Sequence, residues 1–315
     1  MGVERKHSHA RPFKRRRIIV LAVVLVLVGG VTAIAVRAGS ASSAHGRKSA
    51  VSSSTTTTRA TVPKSAHSTS PASTPTSETT NPHNPAASAG APSALPLAGK
   101  VVGIDPGHNG GNFSNTSFLH QIIWNGRASE DCDTAGTETN GGYTEATYNF
   151  NVAQLLKADL VAAGAEVVMT RDSNTGLGPC VDQRAKILNA ASPAVSIDIH
   201  ADGGSASGRG FAILEPVDDG TNSAVVAPSQ VFGAVLIQAF LGTGMPISTY
   251  DGTNGVAFRS DLAGLNLTTE PKVLIECGNM RNATDAALLS SPTFQAAAAT
   301  AMTAAIVAFV HSEHP

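Results

Sequence analysis

VVGIDPGHNGG, residues 101–111, is the stretch on which the fold turns. Val101-Val102-Gly103-Ile104 reads as a short apolar strand that stops at Asp105-Pro106-Gly107 and presents His108 at its tip. A Pro-Gly turn ends strand pairing, and Asn109-Gly110-Gly111 leaves the next backbone free to wrap closely around a ligand. A histidine at the carboxyl end of a strand is where open α/β sheets put their ligands. Taken alone, the stretch serves equally well as a surface loop with an incidental histidine, and the rest of the chain has to decide.

From Leu97 onward, short apolar runs alternate with amphipathic stretches, the pattern of an α/β layered fold. It predicts strands at 100–105, 165–170, 194–200, 210–215 and 272–277, and helices at 144–162, 181–191, 228–241 and 293–311. These make one domain, 97–315, with a twisted, mostly parallel mixed sheet flanked by helices on both faces. Between Gly111 and Gly142 the chain is polar, turn-rich and without clear periodicity. A loop of that length in a compact domain is usually functional, here as a rim or wall of a site.

The amino-terminal third is of another kind. Residues 1–17 are a basic tail ending in Lys14-Arg15-Arg16-Arg17, and 18–36 run for 19 residues without a charge. That length spans a hydrocarbon core of about 30 Å. Basic residues before it keep the amino end in the cytoplasm and place everything after Arg37 outside. The run is longer than a usual signal peptide, which favours a retained anchor over a cleaved signal. Residues 37–96 are rich in Ser, Thr and Pro and too poor in apolar residues to offset their ordering entropy, so they read as a disordered linker. Its reach is roughly 40 Å root-mean-square.

Charge divides along the same line. Residues 1–97 carry 12 Lys/Arg against 2 Asp/Glu, and 98–315 carry 10 against 21. An acidic domain containing one Trp and three Tyr argues against nucleic-acid binding. Of the three cysteines, Cys132 and Cys180 lie in polar or Gly/Pro-rich loops, where an exported protein can pair them, and Cys277 lies in an apolar strand as a small buried hydrophobe.

Four residues carry candidate chemistry. His108 and His200 occupy equivalent places, each at the carboxyl end of a strand. Alternation along Val195–His200 puts Ser196, Asp198 and His200 on one face and Val195, Ile197 and Ile199 on the other. Glu145 follows Thr144, a suitable N-cap, and a first-turn Glu suits the helix dipole. Yet 145, 149, 152, 156 and 160 share one helical face, and Val152, Leu156 and Leu160 make it the buried one. A carboxylate heading that stripe needs a cation or a hydrogen-bonding partner. Glu276, within Val273–Cys277, is costly to ionise in so apolar a strand unless paired or catalytic; a structural salt bridge is the simpler alternative. Two imidazoles and a carboxylate with an open fourth position form the donor set of a catalytic zinc site, beside which Glu276 would act as general acid/base. His120 is read as a surface residue or substrate contact.

At these residues the chain, from about Lys100 to Val310, resembles the zinc-dependent N-acetylmuramoyl-L-alanine amidases of the amidase-3 type, most closely their actinobacterial members. The resemblance rests on Ile104-Asp105-Pro106-Gly107-His108, on Glu145 at the head of its helix, on Ser196–Asp202, and on Ile275-Glu276-Cys277-Gly278-Asn279-Met280-Arg281-Asn282. It implies that His108, Glu145 and His200 bind Zn2+ and that Glu276 is the catalytic carboxylate. The substrate it implies is peptidoglycan, cleaved at the amide between the N-acetylmuramic acid lactyl group and L-alanine of the stem peptide. It also implies a Cys132–Cys180 disulfide. The chain departs from the family at Asn109, where glycine often stands, and at Asp198, where Ser is more usual; Asp198 is expected to orient His200 or to alter the pocket charge.

Arg209, Arg259 and Asn109 are weaker candidates for substrate contacts. The catalytic domain is expected to be monomeric and displayed outside a single-pass membrane anchor, or secreted to the wall if the anchor is cleaved. Two other readings keep the same fold: a non-catalytic wall-binding protein, and a zinc peptidase acting on the stem. No extra amphipathic helix between Gly203 and Pro271 is expected to occlude the site.

Overall fold

The computed structural model describes residues 94–313. The basic tail, the apolar run 18–36, and the linker as far as residue 93 lie outside the described residues. The elements in chain order are β1 Val101–Pro106, a 3-10 turn Asn112–Ser114, α1 Thr116–Leu119, β2 Ile122–Trp124, β3 Ser129–Asp131, α2 Glu145–Ala162, β4 Glu166–Met169 and α3 Val181–Ala191. There follow β5 Val195–Asp202, β6 Ala212–Pro216, α4 Ser223–Leu241, β7 Val256–Arg259, α5 Ala263–Asn266, β8 Lys272–Asn279, α6 Ala283–Leu289 and α7 Pro292–Glu313.

Six strands form one sheet in the order β4-β1-β5-β8-β6-β7, and β2 and β3 form a separate hairpin. β4, β1, β5 and β8 run parallel, β6 is antiparallel to β8, and β7 is parallel to β6. The sheet is therefore mixed and mostly parallel. Helices α2, α4 and α7 cover one face, while α3 and α5 lie on the other.

The two faces have different interiors, and strand alternation sets the difference. Val195, Ile197, Ile199 and Ala201 of β5 join Val273, Ile275 and Cys277 of β8 in a large apolar core under α2, α4 and α7. On the opposite face the apolar cluster is small, Ala212, Leu214, Leu265 and Leu274. Its remaining volume holds buried charge: Asp105, Asp198, Arg184 and Lys272 are all at least nine-tenths buried. α2 turns Val152, Leu156 and Leu160 into the large core together with Tyr148 and Asn149, as its sequence pattern requires. Burying each of those aliphatic side chains is worth about 1.5–3 kcal/mol. α7 opens on Pro292, whose missing N–H costs nothing in a first turn, and continues through an alanine-rich run.

Four differences from the sequence pattern have physical causes. The stretch 111–142 contains a 3-10 turn, a four-residue helix and a hairpin of three-residue strands, all too short to print a period. β7 is a four-residue edge strand with the same difficulty. α4 begins at Ser223, one turn and more before Pro228, so the proline sits inside the helix and does not start it. Thr144 holds the N-cap position of α2, yet its hydroxyl meets that of Thr147 at 2.8 Å and makes no cap bond.

Candidate metal centre and active site

The carboxyl ends of β1, β5 and β8 lie side by side, which is where α/β sheets bind ligands. β1 keeps pairing through Gly107, whose N–H donates to the Ile199 carbonyl at 3.0 Å. A Cβ on Gly107 would overlap the His200 ring, so glycine is required for the two histidines to approach. The next residue, His108, has φ 58°, a left-handed conformation that costs a non-glycine residue about 1–2 kcal/mol. Arg184 holds it there, Nη2 donating to the His108 carbonyl at 2.9 Å. Strain retained at such a position marks a functional constraint.

His108, Glu145 and His200 converge. One ligand atom from each lies within 4.8 Å of the others, the group among the described residues that could hold a metal ion. His108 Nε2 is 3.2 Å from Glu145 Oε2, and His200 Nδ1 is 2.9 Å from Glu145 Oε1. Glu145 is fixed from behind by backbone: its Oε2 accepts from Thr137 N at 2.9 Å and its Oε1 from Ala201 N at 3.3 Å. His200 stands opposite Glu276 in the β5–β8 register, so the fourth candidate is a direct neighbour. Glu276 Oε2 is buried without a hydrogen-bond partner. Burial, then the Glu145 and Asp202 carboxylates, push the Glu276 carboxyl well above the usual range.

The residues present fit a metal ion. Two imidazole nitrogens and one carboxylate suit zinc. The surroundings also favour positive charge: burial opposes protonation of His108, but Glu145 and Asp133 outweigh it and raise the imidazole to about 10.

Two cavities flank the histidines. One of about 370 Å³ is lined by His108, Glu145, His200, Glu276 and Arg259, among others. The other, about 400 Å³, reaches from the same histidines down to Asp105, Asp198 and Arg184. Arg259 thus faces the cleft with Glu276, its guanidinium held by Asp261 through two 2.7 Å bonds. Arg209 is turned elsewhere, to the fully buried Asp285 at 3.0 Å, and is not among the residues lining either cavity. Asn109 is buried, donates to Asp133 Oδ2 at 3.2 Å, and is not among the residues lining either cavity. His120 is exposed and meets Asp131 at 2.8 Å.

Asp198 points the same way as His200 but is paired otherwise than expected. Its partner is Lys272 Nζ at 2.9 Å, with Asp105 Oδ2 3.9 Å from the same ammonium and Arg184 2.7 Å from Asp105. Burial raises the Asp198 carboxyl to about 7, with Asp105 adding to the effect and Lys272 opposing it. The residue behind His108 is Asp133, which the sequence pattern did not single out: its Oδ1 lies 3.2 Å from His108 Nδ1. Its place immediately after Cys132 is the one available signal, because Cys132 and Cys180 form a disulfide here. Cys277 is free and buried.

An α/β sheet with a His–Glu–His group at its carboxyl edge, beside a half-buried glutamate whose Oε2 has no partner, is an arrangement that suits a metal-assisted hydrolase. Comparison with known proteins gives the particular family. The model of the Amidase_3 family, N-acetylmuramoyl-L-alanine amidase, matches residues 102–308. The N-acetylmuramoyl-L-alanine amidase Rv3717 of Mycobacterium tuberculosis is 38% identical over 217 residues, 69% of this chain and 89% of that protein. Crystal structures of the amidase Ami1 from Mycobacterium smegmatis and from Mycobacterium abscessus match with TM-scores of 0.65 and 0.64 at 38% and 41% identity, covering 69% and 68% of this chain and 99% of each of theirs. The chain belongs to the Amidase_3 family and is an amidase of that family.

Proposed function

We propose that this chain hydrolyses the amide between the lactyl group of N-acetylmuramic acid and L-alanine in peptidoglycan, with His108, Glu145 and His200 holding Zn2+ and Glu276 moving the proton. The observation that carries the assignment is the buried, unpartnered Glu276 Oε2 in the cavity that the three ligand residues line. The chemistry supplied by a bound zinc is Lewis acidity toward the scissile carbonyl and toward water. Glu276, with its affinity for protons raised by burial, takes a proton from the attacking water at its carboxylate. It then delivers that proton to the departing nitrogen of L-alanine, leaving a lactyl carboxylate on the sugar and a free amine on the stem. Arg259, on the same cavity wall, is suited to a stem-peptide carboxylate.

The same reading puts the catalytic domain outside the cytoplasm, as a monomer, on a linker anchored through 18–36. The Cys132–Cys180 disulfide supports export, because such bonds persist in oxidising compartments. Digestion of isolated sacculi, followed by mass spectrometry of the products, tests the function. Free stem peptides and intact glycan strands are expected. Shortened stems would make the chain a peptidase, and undigested wall with zinc bound would make it a binding protein.

A further inference from the structure

We propose that Asp133 is a positioning residue for the metal centre: it fixes the ring of His108 so that Nε2 faces the ion, and the Cys132–Cys180 disulfide together with Arg184 holds Asp133 in place. The proposal rests on the zinc reading above.

The hydrogen-bond arithmetic at His108 leaves one arrangement. Nδ1 has three near neighbours, Asp133 Oδ1 and the Thr134 carbonyl at 3.2 Å and the Thr134 hydroxyl at 3.4 Å. A carbonyl can only accept, so Nδ1 carries the hydrogen. In a neutral ring the lone pair is then on Nε2, the atom that faces Glu145. This is the arrangement in which a carboxylate behind a histidine sets both its tautomer and its ring angle for a metal.

Asp133 is itself surrounded by donors. Thr134 N donates to Oδ1 at 2.7 Å, Asn109 and Asn112 donate to Oδ2 at 3.2 and 3.1 Å, and Arg184 Nη2 stands 3.6 Å from Oδ2. Every lone pair is claimed, as an ionised carboxylate at 5% exposure requires. Arg184 grips the other end of the same residue pair through the His108 carbonyl. The left-handed His108 is thus held at its backbone by Arg184 and at its ring by Asp133.

The disulfide explains why these two grips meet. Asp133 follows Cys132 directly, and Cys180 is the N-cap of α3, which carries Arg184 in its first turns. Val181 N also donates to the Cys132 carbonyl at 2.9 Å. One crosslink therefore aligns the carboxylate and the guanidinium that together hold His108.

The test is zinc affinity, by competition with a chromogenic chelator, in the wild-type chain, Asp133→Asn and Asp133→Ala. Asp133→Asn keeps an acceptor of the same size without the charge and should bind zinc roughly tenfold more weakly; Asp133→Ala should be roughly a hundredfold weaker. Cobalt(II)-loaded Asp133→Ala should also show shifted visible bands, since the geometry at His108 changes. A purely structural Asp133 would lower the thermal midpoint of the metal-free chain and leave the zinc affinity of Asp133→Asn at the wild-type value. That result would overturn the proposal, and Asp133→Asn decides it even if Asp133→Ala does not fold. A wild-type chain that binds no zinc would overturn the metal reading as well.

Discussion

Glu276 and His200 stand opposite each other on neighbouring parallel strands, yet they have different partners. His200 leans 2.9 Å from the Glu145 carboxylate, while Glu276 Oε2 has no partner. On the proposed roles, replacing Glu276 by Gln removes the proton carrier and leaves His108, Glu145 and His200 in place. Glu276→Gln should keep zinc, measured by metal analysis of the purified protein, and lose about 10²–10⁴ in kcat. His200→Ala should lose both metal and turnover, and a zinc-free Glu276→Gln would sink the division of roles. These residues were legible in the sequence because each interrupts an apolar pattern at a strand end, a helix start or a strand interior. Asp133, Arg184 and Lys272 were not, although each is at least nine-tenths buried. A buried charge in a loop or on a helix reads like a solvated one until the fold shows what closes over it. Asp198 is the instructive case: alternation placed it on the correct face, but the cation it meets, Lys272, comes from a neighbouring strand, opposite Ser196 and not Asp198 in register, that the local pattern cannot pair.

The same contrast holds for elements. The long central strands and α2, α3 and α7 were legible because six to twenty residues of alternation or helical spacing outweigh local noise. The hairpin β2–β3 and edge strand β7 give three or four residues each, and their pairing is fixed by tertiary contacts: Asn125 Nδ2 to the Asp261 carbonyl at 3.4 Å, and Arg127 to the Val217 and Asp218 carbonyls at 3.1 and 2.8 Å. The loop that contains the hairpin is tied to α3 by the disulfide across a separation of 48 residues. Closing a loop of that size stabilises by up to about 4 kcal/mol in the chain-entropy account. A Cys132→Ser/Cys180→Ser variant should thus lose about 2–5 kcal/mol in urea unfolding. On β6, Glu215 lies under α4 against Gly233, where a Cβ would overlap its Oε1. Burial pushes its carboxyl from 4.5 up to about 7. The unfolded chain releases this proton from about pH 4.5 and the folded chain only near 7, so the group lowers stability as pH rises through that window and has a constant effect above it. Glu215→Gln should match wild type in urea midpoint near pH 4.5 and exceed it at pH 8; equal midpoints at both pH values would show that the carboxyl is solvated.

For the molecule as a whole, what remains is whether anything must move before substrate enters. Between Gly203 and Pro271 the described elements are β6, α4, β7 and α5. α4 sends Phe232, Leu236 and Phe240 into the large core and packs on α7, so it is committed to the sheet. α5 has four residues and packs against α3. α5, with Ala263 and Gly264, lines the second cavity beside the histidines but not the first, and the side chains of His108 and His200 remain 10% and 19% exposed. The hairpin lines the second cavity with Glu130 and Asp131 and does not line the first, whose wall includes Glu276 and Arg259. On the proposed roles, solvent reaches both histidines and Glu276 already lines the same cavity, so no activating rearrangement is expected among the described residues. The purified full-length chain should accordingly digest sacculi with zinc and no added partner, lose activity to a chelator, and regain it on zinc addition. The chelated form should also unfold at lower temperature, because a ligand bound only to the native state stabilises it by mass action. Activity that appears only after a second protein is supplied would show that the cleft is closed in solution, and the expected open site would have to be given up.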